Sequence, residues 1–540
     1  MNPRTRTEIL LLVAFCGFLF FYGLGAFGLV GADEPRYAQI AREMRERSDW
    51  VTPTLLGKPW LEKPALYYWQ AMVAYEFGQT LLALKDGVSD QTARFPGAMD
   101  AALMIAAIYF FLRRRHPGTE LDGALVTASC AAVIGFARAA STDMPLAAAF
   151  TIALLCWYDW YEGRQRASLA ACYVFLALGM LAKGPVAPAL AAVIVVIFAA
   201  AKRDWSILLR TLWLPGIALF LVVGLPWYIA VQVRNPNFFR FFILEHNLAR
   251  FSTTAYHHPQ PFWFFLPVFL LAMMPWTLWL IAAVSARVRV IWREGKEAFA
   301  NSEDSWPLFL LIWMLVPILF FSASQSKLPG YILPAVPAGA LLVADYLAAR
   351  RDERARISWL FAAAHGILCG ALVFGALSAA SIARNRHLTI GKGTYVAAAI
   401  AILVAVVIAG ALATRRGPRL ARSATMVAVI VSVAAVIRLA APAIDATQSG
   451  RPIADAIQAF SHEPVPVGLF HVSRVEEYGL DFYLNRPVQK YENGEVPAEA
   501  HVLVAAANTE PQFRALLDGR KVSYLTSIPE QKLELYWVGQ

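Results

Sequence analysis

The sequence predicts an α-helical polytopic membrane protein with about thirteen transmembrane helices over residues 1–444, followed by a soluble α/β domain over residues 445–540. Three observations carry this reading. The chain of 540 residues is 58% hydrophobic and only 16% charged, whereas a soluble domain carries about 25% charged residues. Clusters of Arg and Lys recur between its apolar runs. From about Asp445 the long apolar runs stop and short alternating segments replace them.

Runs such as Ile9–Leu29, Leu190–Ala201, Pro215–Val231 and Trp263–Val284 are long enough, alone or with their flanks, to cross a bilayer as helices of about 20 residues. Ile9–Leu29 is too long for a signal-peptide core and lacks an Ala-x-Ala site, so it is expected to stay as a first helix. The basic clusters are Arg4 and Arg6; Arg113 to Arg115; Arg164 and Arg166; Lys202, Arg203 and Arg210; Arg287, Arg289, Arg293 and Lys296. Two more follow, Arg350, Arg351, Arg354 and Arg356, then Arg415, Arg416, Arg419 and Arg422. Cytoplasmic loops collect Lys and Arg, so placing every cluster there gives an odd number of crossings. Gly31–Thr92, the turns around Asp143 and Lys183, Gln232–Pro261, Ser322–Tyr331, Ser381–Lys392 and the tail then face outward.

In the tail, strands are predicted at Val465–Val472, His501–Ala506, Val522–Leu525 and Leu533–Val538. Helices are predicted around Pro452–Phe460, Val475–Leu484 and Glu510–Leu517. Cys16, Cys130, Cys156, Cys172 and Cys369 all fall in apolar runs and read as small buried hydrophobes. The net charge of +10 sits mostly in short loops, so membrane topology and anionic lipid explain it and nucleic acid does not.

The segment Gly31–Trp69 is the most informative. It places Asp33, Glu34, Arg36, Glu62 and Lys63 between two hydrophobic runs. Ionisable groups at a membrane boundary are costly, so a cluster there marks a candidate functional site. From Asp33 the chain has the pattern of an amphipathic helix, with Tyr37, Ile40, Ala41 and Met44 on one face and Arg36, Gln39, Glu43 and Arg47 on the other. Pro35 suits a first helical turn. Asp33 then reads either as an N-cap or as a carboxylate held beside Arg36 for a polar substrate.

Asp33-Glu34-Pro35-Arg36-Tyr37 and Leu61-Glu62-Lys63-Pro64-Ala65-Leu66-Tyr67-Tyr68-Trp69 together resemble the lipid A aminoarabinose transferases (ArnT). These belong to the polyprenyl-phosphate-dependent membrane glycosyltransferases, which also include the protein O-mannosyltransferases. The resemblance implies a GT-C type helical fold with a periplasmic α/β domain, in the bacterial inner membrane. It implies an undecaprenyl-phosphate-linked sugar donor, a lipid A acceptor, inversion at the anomeric carbon, and protection from polymyxin and other cationic peptides. Asp33 matches the family's key acidic residue, acting as general base or as an orienting group; Glu34 and Tyr37 accompany it as substrate-binding residues. Lys183, in Leu-Ala-Lys-Gly-Pro, and the Lys327 to Tyr331 turn resemble positions used around the carrier phosphate.

The leaving group in such a reaction is a lipid phosphate, which calls for cations. Arg36, Lys63, Lys183, Arg250 and Lys327 all fall on the outer side, where positive charge is scarce. Asp143 reads as a partner for one of them, as a substrate contact, or as an N-cap. The resemblance also points to Glu62, His257 and His258 as ligands of a structural zinc that the chemistry itself does not need. Trp227, Trp263 and Trp276 read as interface belt and packing residues. A relative with another sugar or a protein or glycan acceptor is the nearest alternative. A polyprenyl-lipid transporter ranks lower, because the charges gather at one face and no inverted repeat is visible. An envelope scaffold leaves the outer cations unexplained.

Overall fold

The computed structural model describes residues 3–84, 86–242, 245, 260–294, 305–352, 356–385, 387–388, 390–461 and 463–540. Helices dominate it, and eight of them are long and apolar enough to cross a membrane, or up to ten if each of two bent pairs is one span. Three further apolar helices are shorter or carry more polar ends: Pro3–Cys16 continued by Gly17–Phe21, Asp143–Gly163, and Val186–Ala201. Thirteen crossings are reached only when both bent pairs and all three of these helices are counted as spans. This is a multi-pass membrane protein.

The run expected as one crossing at Trp263–Val284 is broken. Phe262–Ala272 and Thr277–Val290 meet at 114°. Pro275 lies in the break and has no N–H with which to continue the ladder. A second bend of 65° separates Glu120–Ala128 from Ala131–Ala137.

At the basic end, Asp122 is buried and pairs with Arg351 and, at 2.7 Å, with Arg422, tying three helices together. Arg115 pairs with Asp159 at 2.5 Å. Part of the positive charge read as topology signal is thus paired within the protein.

At the opposite end the first loop folds into the helix Asp33–Glu46, a two-strand hairpin of Thr54–Leu55 and Lys58–Pro59, and the helix Leu66–Leu81. The expected apolar face of the first loop helix is realised: Tyr37, Ile40, Ala41 and Met44 are all buried. On its polar face Arg47 is exposed, whereas Gln39 is buried, as is the neighbouring Arg42. The tail helix Arg474–Leu484 covers them, with Arg42 donating to the Phe482 carbonyl at 2.7 Å and Gln39 to Asn485 at 3.1 Å.

The last apolar helix, Gly417–Gln448, leads into Arg451–Phe460 and then a five-stranded mixed sheet. In spatial order its strands are Gln489–Lys490, Val467–Phe470, His501–Ala506, Leu533–Val538 and Val522–Ile528. The first three run parallel and the last two pair antiparallel. Four of these strands were predicted. The fifth, Gln489–Lys490, is two residues long and offers no alternation to read.

Candidate active site

Asp33 is the first residue of its helix and makes no capping bond; Ala32 occupies the cap position. Its carboxylate pairs with Arg36 one turn on, and the Asp33 side chain is 61% exposed while that of Arg36 is 12% exposed. The guanidinium of Arg36 lies over three aromatic rings, at 4.9 Å from the Trp60 centroid, 5.2 Å from Tyr37 and 5.5 Å from Tyr478. Burial opposes its charge, but Tyr37, Asp33 and Glu62 more than offset that and move its pKa up. Arg36 therefore stays a fixed cation.

Tyr37 is buried, and burial pushes its phenol pKa up, with Asp33 and Asp143 adding to the shift. Its ring sits 6.2 Å from that of Tyr68, whose hydroxyl is buried without a hydrogen-bond partner among the described residues. Burial raises the Tyr68 pKa too, and Glu62 and Asp33 act on it in the same direction. Asp33, Arg36, Tyr37, Glu62 and Asp143 thus share one electrostatic neighbourhood. Lys63 follows Glu62, half-buried, in the turn before Leu66–Leu81.

Asp143 opens the helix Asp143–Gly163, with Thr142 as its cap residue, so it too is no N-cap. It pairs with Lys183, the last residue of the helix Arg166–Lys183. The Lys183 ammonium stands 4.8 Å from the Tyr331 ring centroid. Gly330 makes this approach possible, since a Cβ there would lie 2.9 Å from Asp143 Oδ1 and 2.9 Å from Phe136. Lys327 is buried, and its ammonium donates to the Ser324 carbonyl.

Glu34 requires a correction. Expected as a substrate contact, it is buried in an ion pair with Arg94, at 2.6 Å and 3.2 Å, and accepts from the amides of Val30 at 2.8 Å and Ala140 at 2.9 Å. Its oxygens are occupied, so its work is to hold the loop to the bundle. Arg94 in turn donates to the carbonyls of Leu24, Phe27 and Gly28. Arg138 does likewise for Leu19, Tyr22 and Gly23. The sequence reading missed both arginines.

Arg250, His257 and His258 lie outside the described residues. Among the described residues no group of three or more His, Cys, Asp or Glu side chains is placed to hold a metal. Trp227 and Trp276 are buried packing residues that donate to Val51 and Ser129, whereas Trp263 is exposed.

Residues 7–242 match the family described as dolichyl-phosphate-mannose-protein mannosyltransferase. The undecaprenyl phosphate-alpha-4-amino-4-deoxy-L-arabinose arabinosyl transferase of Pseudomonas aeruginosa UCBPP-PA14 is 33% identical over 355 residues, which is 64% of this chain and 60% of that protein. The chain thus spans about three-fifths of the length of the curated relatives it matches. The structure of ArnT from Cupriavidus metallidurans bound to undecaprenyl phosphate superposes with a TM-score of 0.76 at 22% identity, covering 98% of this chain and 97% of that one. The chain shares the ArnT fold and is similar in sequence to these transferases over about two thirds of its length. An Archaeoglobus fulgidus oligosaccharyltransferase superposes at TM-score 0.52 and 12% identity over 98% of this chain and 73% of that one. The ArnT superposition includes the C-terminal sheet, which is therefore part of the ArnT fold and no separate appendage.

Proposed function

We propose that the chain is an inverting glycosyltransferase that moves 4-amino-4-deoxy-L-arabinose from undecaprenyl phosphate to a phosphate of lipid A, at the periplasmic face of a bacterial inner membrane. The observation that carries this reading is the gathering of the Asp33–Arg36 and Asp143–Lys183 pairs around Tyr37 and Tyr331 at one end of a helical bundle with the ArnT fold. In this reaction an acceptor phosphate oxygen attacks the anomeric carbon. The bond from that carbon to the carrier oxygen breaks, and its electron pair leaves on undecaprenyl phosphate. The acceptor oxygen is already anionic, so no strong base is needed. Cations must hold two phosphates close together, and Arg36, Lys63 and Lys183 supply them. The carboxylate of Asp33, 61% exposed, receives the amino group of the sugar in this reading.

A second reading, transfer to a hydroxyl acceptor, is favoured by the match of residues 7–242 to a protein mannosyltransferase family. Asp33 would then be the general base. Purified protein supplied with the undecaprenyl-phosphate-linked amino sugar and either lipid A or a serine-rich peptide separates the two. Sugar on lipid A supports the first reading; sugar on the peptide alone replaces it with the second. Transfer to neither contradicts both.

A further inference from the structure

We propose that Tyr478, a side chain of the C-terminal segment, is a positioning residue of the transfer site, closing with Trp60 an aromatic clamp on Arg36 that fixes how Arg36 presents Asp33 to substrate. The inference rests on the reading of Asp33 and Arg36 given above. It adds a residue from the far end of the chain to a site otherwise built from the membrane region and its loops.

Two buried arginines near this loop show the contrast. Arg94 is fixed through its N–H groups, by one carboxylate and three backbone carbonyls. Arg36 has one carboxylate partner, itself well exposed, and its buried Nε has no acceptor among the described residues. Three rings surround its guanidinium carbon: Trp60 at 4.9 Å, Tyr37 at 5.2 Å and Tyr478 at 5.5 Å from centroid to carbon. A guanidinium within about 6 Å of a ring centroid is attracted to the ring face, and more strongly when desolvated. Contacts to ring faces consume no N–H group of Arg36.

Tyr478 is firmly mounted. Its helix, Arg474–Leu484, is fastened to the loop helix by Arg42 to the Phe482 carbonyl at 2.7 Å and by Gln39 to Asn485 at 3.1 Å. Just before Asp33, the Leu29 amide donates to the Tyr483 hydroxyl at 2.7 Å and the Gly28 amide to Asp445 at 2.7 Å. The segment that carries Asp33 is thus held from the tail on both sides, and Tyr478 stands between those fastenings. Tyr37 and Trp60 belong to the loop itself, so Tyr478 is the clamp member through which the tail acts on the site.

The test uses full-length protein, the transfer assay and four variants: Tyr478→Leu, Tyr478→Phe, Arg36→Gln, and Arg36→Gln with Tyr478→Leu. The expected result is a kcat for Tyr478→Leu about five- to thirtyfold below wild type, with KM for the donor within twofold and a melting temperature lowered by no more than about 4 °C. Tyr478→Phe keeps the ring and returns to within twofold of wild type. In the Arg36→Gln background, Tyr478→Leu costs less than a further twofold. The inference is overturned if Tyr478→Leu retains wild-type kcat, if Phe fails to rescue it, or if the loss is as large without Arg36. If wild type shows no transfer, the proposed function fails and the clamp is judged by melting. Arg36→Gln and Tyr478→Leu then lower Tm less than additively when combined, and strict additivity overturns the clamp.

Discussion

Asp33 and Glu34 are neighbours in sequence and opposites in structure, so replacing each makes the sharpest stability prediction. Glu34→Ala leaves Arg94, a guanidinium with only 1% of its side chain exposed, without its carboxylate. Breaking a buried pair from one side costs about 3–5 kcal/mol. The amides of Val30 and Ala140 lose their acceptor in the same step, at about 1–3 kcal/mol for each that water cannot reach. The carbonyls of Leu24, Phe27 and Gly28 still receive Arg94 and keep the total near the buried-pair figure. A loss of that size lowers a melting temperature by roughly 10 °C. Asp33→Asn, in contrast, removes one i,i+3 pair from a carboxylate that is 61% exposed, worth under about 1 kcal/mol. Tryptophan-fluorescence melts of the purified protein in detergent should therefore show Glu34→Ala far below wild type and Asp33→Asn within about a degree of it. Transfer activity should be lost in Asp33→Asn although the protein is fully folded. A Glu34→Ala protein that melts with wild type would refute the structural role given to this pair.

Gly330→Ala should push Asp143 off Lys183, because the new Cβ would lie 2.9 Å from Asp143 Oδ1; overpacking costs about 1–3 kcal/mol, and kcat should fall more than tenfold in the transfer assay. Lys183→Met should cut transfer by at least a hundredfold, and wild-type kinetics from this variant would remove Lys183 from the site. Burial, with Glu477 adding to it, pushes the Asp481 carboxyl up to about 7 against the pull of the Val488 amide and Lys490. The folded state therefore favours its protonated form, and stability present at or below the ordinary carboxyl value of about 3.9 is lost as pH rises to about 7. Melts of Asp481→Asn should show a flatter slope across that window and a higher Tm at pH 8 than wild type; an unchanged slope would contradict this origin. Elemental analysis should find one zinc per chain, lost in a His257→Ala, His258→Ala double variant; a metal-free wild type would end that expectation.

The bundle was legible in the sequence because lipid and charge act locally: each apolar run and each basic cluster is read where it stands. The tail was legible for a similar reason, since strands such as His501–Ala506 and Leu533–Val538 carry their own β-pattern. Within the candidate site, Asp33, Arg36, Asp143, Lys183 and Tyr331 were singled out by motif and side of the membrane, and the structure pairs Asp33 with Arg36, Asp143 with Lys183, and Lys183 with the Tyr331 ring. Glu34 was misassigned because its partner, Arg94, is sixty residues on in sequence, in the helix Asp90–Arg115 beyond Leu66–Leu81. A signal did exist, since an arginine set in the apolar helix Asp90–Arg115 needs a partner. Tyr478 had no such signal. Its role depends on the tail helix docking across the first loop, and nothing local to Arg474–Leu484 encodes that contact. The burial of Gln39, on the polar face of the first loop helix, was illegible for the same reason, because that tail helix covers it.

The most direct measurement is the mass of lipid A from cells that lack their own aminoarabinose transferase but still make the carrier-linked sugar, complemented with this chain or with its Asp33→Asn variant at equal expression. The account predicts aminoarabinose on the lipid A phosphates with the wild-type chain and none with the variant. Unmodified lipid A from both, with the donor present, would contradict it.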